Sequence, residues 1–227
     1  MDFSNRTALI TGSGQGVGEG IARALASNGA NVCLVGRTLS KVESVADDIN
    51  KAGGSAIAIE CDVKSNDSIN SSIEAALSKF NSLNILINNA QEVPLGNILD
   101  VTDESFVNGW DSGPLATFRF MKSCYPHLKG GGKIINLASS SALRPDSNSY
   151  GAYAAVKESI RSLSRAAAVE WGPDNILVNC IMPLAKSAGM DWWMNEHPDE
   201  ANEFLKTIPL GRVGAVSYTH LTLPTKA

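Results

Sequence analysis

Six short runs of valine, isoleucine, leucine and alanine, each parted from the next by a segment of helical pattern, constrain this chain more than any other feature of its sequence. They occupy residues 7–11, 30–35, 55–63, 83–90, 133–138 and 176–181. Most run on without alternating apolar and polar residues, as strands do when helices cover both faces of their sheet. Strands and helices alternating in this way predict an α/β fold built on a doubly wound parallel sheet of six strands. The helical segments carry matching stop signals. The segment 18–28 ends at Gly29, 39–51 ends before Gly53 and Gly54, and 149–171 stops at Gly172 and Pro173. In 103–128, Gly109, Gly113 and Pro114 interrupt the pattern, which predicts a helix broken or kinked near Pro114.

With 227 residues, 44% of them hydrophobic, the chain is long enough for one well-buried domain and short for two. A net charge of −4 without a strongly basic stretch argues against nucleic acid as a partner. The apolar runs fall far short of the ~20 residues that span a bilayer, and the charged start leads into glycines too soon for a signal peptide. A cytoplasmic protein without membrane association is expected. Cys33, Cys61, Cys124 and Cys180 are widely spaced and form no Cys-x-x-Cys pair, so buried, reduced thiols and no metal site are expected.

A parallel sheet gathers the C-terminal ends of its strands along one edge, where ligands bind. After the first run stands Thr11-Gly12-Ser13-Gly14-Gln15-Gly16-Val17-Gly18, opening a helix. Glycines there allow a tight turn and close approach of backbone to a pyrophosphate, and the helix N-terminus supplies free N–H groups and partial positive charge. A dinucleotide is therefore the expected ligand. Where an acidic residue would bind the ribose hydroxyls of NAD, the second run ends in Val35-Gly36-Arg37. A cation suits a 2′-phosphate, so NADP is favoured, with NAD as the alternative. After the fifth run come Ser139, Ser140 and Ser141, and then Tyr153 and Lys157 four residues apart on one helix face. An ammonium beside a phenol lowers its pKa from about 10, as a tyrosine acid/base requires.

On these residues the sequence resembles the short-chain dehydrogenase/reductase family, over residues 6 to about 214. Thr11-Gly12-x-x-x-Gly16-x-Gly18 is similar to the family's cofactor turn, Asp62-Val63 to its adenine contact, Asn88-Asn89-Ala90 to the motif after its fourth strand, and Tyr153-x-x-x-Lys157 to its catalytic pair. The resemblance implies a Rossmann-like domain with Gly12, Ser13, Gln15, Gly16, Val17, Gly18, Arg37, Asp62, Val63, Asn89, Ala90 and Pro183 at the cofactor. It implies that Tyr153 exchanges a proton with the substrate oxygen while hydride passes between the nicotinamide and a carbonyl carbon. Lys157 would hold the nicotinamide ribose and depress the tyrosine pKa, and a serine would hydrogen-bond the substrate oxygen. That serine is Ser139 if counted from Asn136 at the strand end, and Ser140 if counted as 13 positions before Tyr153. The implied partners are a small carbonyl or alcohol substrate and further copies of the chain, as a homodimer or homotetramer.

The sequence departs from the family pattern in places. Gly113 stands where the fourth helix usually carries an asparagine that holds a proton-relay water, Gln91 replaces the glycine after Asn-Asn-Ala, and Leu184 follows Pro183 in place of glycine. Residues 186–209, with Met190, Trp192, Trp193, Met194 and Phe204, occupy the place of the substrate lid, where large apolar side chains suit either an apolar substrate or helix packing. Tyr150, separated from Lys157 by six intervening residues, keeps an enoyl reductase as an alternative, and the departures keep a non-catalytic NADP-binding regulator as another. Residues 216–227 continue no family pattern and are similar to a reading frame of a transposon-type sequencing adapter. Residues 1–215 are expected as the dinucleotide-binding domain, incomplete at its C-terminal end and lacking a seventh strand, followed by a non-native tail.

Overall fold

The structure, a computed structural model, describes residues 2–143, 150–186 and 188–215. The expected tail and most of the loop before Tyr150 lie outside the described residues.

Six parallel strands form the main sheet: β1 (Thr7–Thr11), β2 (Asn31–Gly36), β3 (Ser55–Glu60), β4 (Ile85–Asn88), β5 (Lys133–Leu137) and β6 (Leu177–Ile181), in the order β3-β2-β1-β4-β5-β6. The order reverses between β1 and β4, so the sheet is doubly wound and its switch point lies beside the glycine turn that follows β1. All five residues of β1 and all four of β4 are buried, which accounts for their continuous apolar character. Helices α1 (Gly16–Ser27) and α2 (Leu39–Lys51) cover one face, where Ala8, Ile10, Ile21, Val42 and Ile49 form one core layer. Helix α3 (Asn66–Phe80), α5 (Ala116–Leu128) and α6 (Gly151–Trp171) cover the other, where Leu9, Ile73, Leu86, Phe120 and Ile134 form the second. Successive residues of β1 thus serve opposite layers, each fully buried aliphatic side chain contributing about 1.5–3 kcal/mol.

The predicted strands stand within a few residues of their observed limits, and the two longest predictions shrink. β3 stops at Glu60 because the Asp62 N–H turns aside to Ser68 Oγ at 3.1 Å and Asp62 Oδ1 accepts from the Lys64 N–H at 3.0 Å. Of the break or kink predicted near Pro114, the break is absent and the irregularity is a π-helical turn. Helix α4 (Asp103–Trp110) passes through a π-helical turn, Asp111–Leu115, directly into α5. Widening the turn by one residue relieves the clash that a proline ring would make with the carbonyl four residues back. A separate two-stranded parallel pair, β7 (Ala185–Lys186) with β8 (Gly214–Ala215), brackets the helices α7 (Ala188–Glu196) and α8 (Pro198–Lys206). Among the described residues no helix is long and apolar enough to cross a membrane.

Cys33, Cys61 and Cys124 are buried, and burial pushes the Cys33 thiol up to about 12; Cys180 is half-buried. A hydrogen-bonded chain crosses the second layer. Asn88 Nδ2 donates to Asn136 Oδ1 at 2.8 Å, Asn136 Nδ2 donates to Ser164 Oγ at 2.8 Å, and Ser164 Oγ donates to the Ile160 carbonyl at 2.7 Å. It fixes β4 against β5 and α6, the elements that carry the polar edge. Asn136→Ala strands the Asn88 amide in the core, and it is expected to cost about 1–3 kcal/mol in urea unfolding. An unchanged midpoint and slope would contradict this role.

Candidate active site

The glycine turn is built against the end of β4. Asn89 Nδ2 donates to the Thr11 carbonyl at 2.9 Å and the Gly12 carbonyl at 3.0 Å. In return, Thr11 Oγ1 accepts from the N–H groups of Asn89 at 2.9 Å and Ala90 at 3.0 Å. Gly12 has φ +64°, and a Cβ there would lie 2.9 Å from the Ala90 Cα; on Gly18 it would lie 2.4 Å from the Gly12 carbonyl oxygen. Both must therefore be glycine. The residue before α1, Gln15, makes no side-chain cap, so the first-turn N–H groups face outward uncapped. A glycine cradle at an uncapped helix N-terminus fits a pyrophosphate.

The turn forms one wall of a cleft of about 420 Å³, within the range of small-molecule sites. Of the residues implied by the resemblance, Gly12, Gln15, Gly16, Arg37, Asp62, Val63, Asn89 and Ala90 line it. The others sit elsewhere. Ser13 is fully buried with its hydroxyl on the Val35 carbonyl at 3.5 Å, Val17 packs on the first core layer, Gly18 lies beneath the turn, and Pro183 stands two residues past β6. The cleft also presents Gln91, noted above as a departure, and Thr38, Lys41, Glu92 and Ser112, which sequence reasoning missed. For Thr38 and Lys41 a signal existed, since they follow Arg37 into the first turn of α2. Lys41 Nζ donates to Gln15 Oε1 at 2.9 Å.

The three proposed catalytic side chains meet where β5 ends. Ser139 is hydrogen-bonded through its side chain to the Tyr153 phenol, and its Oγ accepts from the Ser141 N–H at 3.2 Å. Ser140 is exposed at the start of a short 3₁₀ turn, Ser140–Ala142, so the serine at Tyr153 is Ser139. Lys157, one turn along α6, is buried and donates from Nζ to the Leu137 carbonyl at 2.7 Å. Its ammonium stands 5.6 Å from the centre of the Tyr153 ring. The expected lowering of the phenol pKa by Lys157 is not what this geometry produces. Desolvation pushes Tyr153 above the ordinary tyrosine value against the opposing Ser139 hydrogen bond, and it pulls Lys157 down to about 8.

Two departures from the family pattern turn out to be one. The Gln91 side chain turns into the space beside Gly113, where a Cβ would lie 2.4 Å from Gln91 Oε1. Gln91 Nε2 donates to the carbonyls of Gly109 at 2.8 Å and Glu92 at 2.7 Å, while its Oε1 is buried with no partner. A larger residue at 91 therefore requires the smallest at 113. In the lid segment, Trp193 packs edge-on against Phe204, with centroids 5.7 Å apart, and Trp192 is 63% exposed. Trp193 thus packs α7 on α8, while Trp192 meets His197, at the start of α8, edge-on with centroids 6.5 Å apart.

The family model described as Enoyl-(Acyl carrier protein) reductase matches residues 12–219 of this chain. A 12alpha-hydroxysteroid dehydrogenase of Clostridium sp. is 38% identical over 221 residues, spanning 93% of this chain and 85% of that protein. A solved 3-ketoacyl-(acyl-carrier-protein) reductase from Brucella melitensis, complexed with NADH, is 30% identical with a TM-score of 0.85, over 95% of this chain and 88% of that one. A short chain dehydrogenase from Burkholderia cenocepacia J2315, in complex with NADP, is 25% identical with a TM-score of 0.88, over 96% and 89%.

The compensation between Gln91 and Gly113 predicts an asymmetric pair of variants. Gly113→Asn alone is expected to cost about 1–3 kcal/mol of stability by overpacking, and Gln91→Gly in the same chain should recover most of it. Equal costs in both backgrounds, read by thermal unfolding, would contradict the pairing.

Proposed function

The chain belongs to the short-chain dehydrogenase/reductase family, and from that premise we propose that it passes hydride between NADP(H), with NAD(H) as the alternative, and a carbonyl/alcohol pair on a small apolar substrate. The observation that carries the reading is the hydrogen bond between Ser139 and Tyr153 directly above buried Lys157, at the same sheet edge as the glycine cradle. When bound, the nicotinamide supplies or accepts the hydride. The chain's own contribution is placement and charge. The N–H groups at the start of α1 hold the pyrophosphate, while Arg37, Thr38 and Lys41 form the pocket for a 2′-phosphate. Ser139 donates to the substrate oxygen and fixes it beside Tyr153, whose hydroxyl gives that oxygen a proton in reduction and removes one in oxidation. In this reading Lys157 holds the nicotinamide ribose, and it favours the phenolate only once its ammonium is drawn nearer the Tyr153 oxygen than it stands on the Leu137 carbonyl.

The ketone reading is supported by the hydrogen bond between Tyr153 and Ser139. The description of the matching family model keeps enoyl reduction as the second reading. Exposed Phe106, Val107 and Trp110 on α4 and Phe118 on α5 support a homodimer or homotetramer joined through these helices.

Tyr153→Phe is expected to lower turnover by roughly 10²- to 10⁴-fold while cofactor binding persists. A panel of apolar ketones, aldehydes and enoyl thioesters, followed by NADPH and NADH oxidation, checks the reaction class. Unchanged turnover in the variant would end the assignment of Tyr153, and turnover of enoyl thioesters alone would favour the second reading.

A further inference from the structure

Arg37, on which the NADP reading rests, is already engaged. Its Nη1 donates to Glu92 Oε1 at 2.7 Å, and Lys64 Nζ stands 3.2 Å from the same oxygen. Arg37 follows β2, Lys64 lies beyond the end of β3, and Glu92 lies beyond the end of β4. One carboxylate therefore ties three strand ends together at the cleft that Arg37 and Glu92 both line. The three differ in how firmly they are held. The Glu92 N–H donates to Ser112 Oγ at 2.9 Å and its carbonyl accepts from Gln91 Nε2 at 2.7 Å. The Lys64 carbonyl accepts from Arg119 Nη1 at 2.7 Å, and its Nζ donates to Asn108 Oδ1 at 3.2 Å. The Arg37 side chain is 67% exposed, against 34% for Glu92 and 27% for Lys64. The loosest member is the cation that a phosphate would need.

We infer that Glu92 is a specificity-determining residue for the cofactor, its carboxylate competing with the 2′-phosphate of NADP(H) for Arg37 while NAD(H) leaves the pair in place. This rests on the NADP reading given above. An exposed ion pair is weak enough to exchange, and a phosphate dianion is a stronger acceptor for a guanidinium than a carboxylate. Lys64 keeps Glu92 charge-compensated when Arg37 turns away, so the exchange leaves no uncompensated charge at the cleft. The partially buried Glu92 carboxyl is pushed up by desolvation, but hydrogen bonds from Lys64 and Arg37 outweigh this and hold it below its ordinary value, so it is ionised at neutral pH.

Fluorescence titrations with NADPH and with NADH, at fixed ionic strength, on wild type, Glu92→Gln, Arg37→Ala and the double variant test this. Glu92→Gln is expected to tighten NADPH by roughly three- to tenfold and to change NADH by less than about twofold. In the Arg37→Ala background the same substitution should no longer alter the preference. No tightening, equal tightening of both cofactors, or a gain that persists without Arg37 overturns the competition. The two readings fail differently: Arg37→Ala leaving NADPH binding unchanged would overturn the NADP assignment itself, whereas a loss of NADPH in Arg37→Ala with no gain in Glu92→Gln overturns only the role of Glu92.

Discussion

The contact between the β1–α1 turn and the end of β4 is the constraint on which the rest of the site depends. Four hydrogen bonds tie Asn89 and Ala90 to Thr11 and Gly12 across it, and Gly12 and Gly18 leave no room for a side chain. This closeness makes the cradle, because it turns the first N–H groups of α1 outward over a floor of backbone. It also fixes the point from which the chain leaves β4. Gln91 and Glu92 follow within three residues of Asn89, so one can reach the π-helical turn at Gly113 and the other the cations at Arg37 and Lys64. Cofactor cradle, helix α4 and charge cluster are thus set by a single backbone junction.

At the other end of the edge, electrostatics are governed by desolvation. Tyr153 and Lys157 share a helix face, yet the lysine donates to the Leu137 carbonyl and stands 5.6 Å from the centre of the tyrosine ring. Both groups are shifted toward their neutral forms. The protein alone therefore presents a protonated phenol hydrogen-bonded to Ser139. Shifting it toward the phenolate takes positive charge brought nearer the oxygen, from a cofactor or from Lys157 reoriented by one.

The doubly wound parallel sheet, the cradle and the Tyr153/Lys157 pair were legible in the sequence because each rests on neighbouring residues: apolar runs, a glycine turn between strand and helix, a tyrosine and a lysine one turn apart. Ser139 was legible once counted from the strand end, since the backbone of β5 sets where it points. What escaped depends on residues far apart in the chain. Gly113 and Gln91 each look like a loss when read alone, and only their contact shows a substitution of one volume for another. Arg37 read alone is a free cation, while the fold sets Glu92 against it from 55 positions away. At Pro114 the sequence marked the irregularity but not its form, because a proline pattern cannot tell a broken or kinked helix from a π-helical turn.

The central claim is that this edge makes Tyr153 the proton carrier of a cofactor-dependent reaction. The most direct measurement is the titration of the Tyr153 phenol, followed by NMR of ring-labelled tyrosine and assigned with Tyr153→Phe. It would be run on the protein alone and saturated with NADP⁺. The account predicts a phenol that titrates above the ordinary tyrosine range without cofactor and shifts downward when it is bound, with the shift diminished in Lys157→Met. A phenol already depressed without cofactor, or one that its binding does not move, would contradict it.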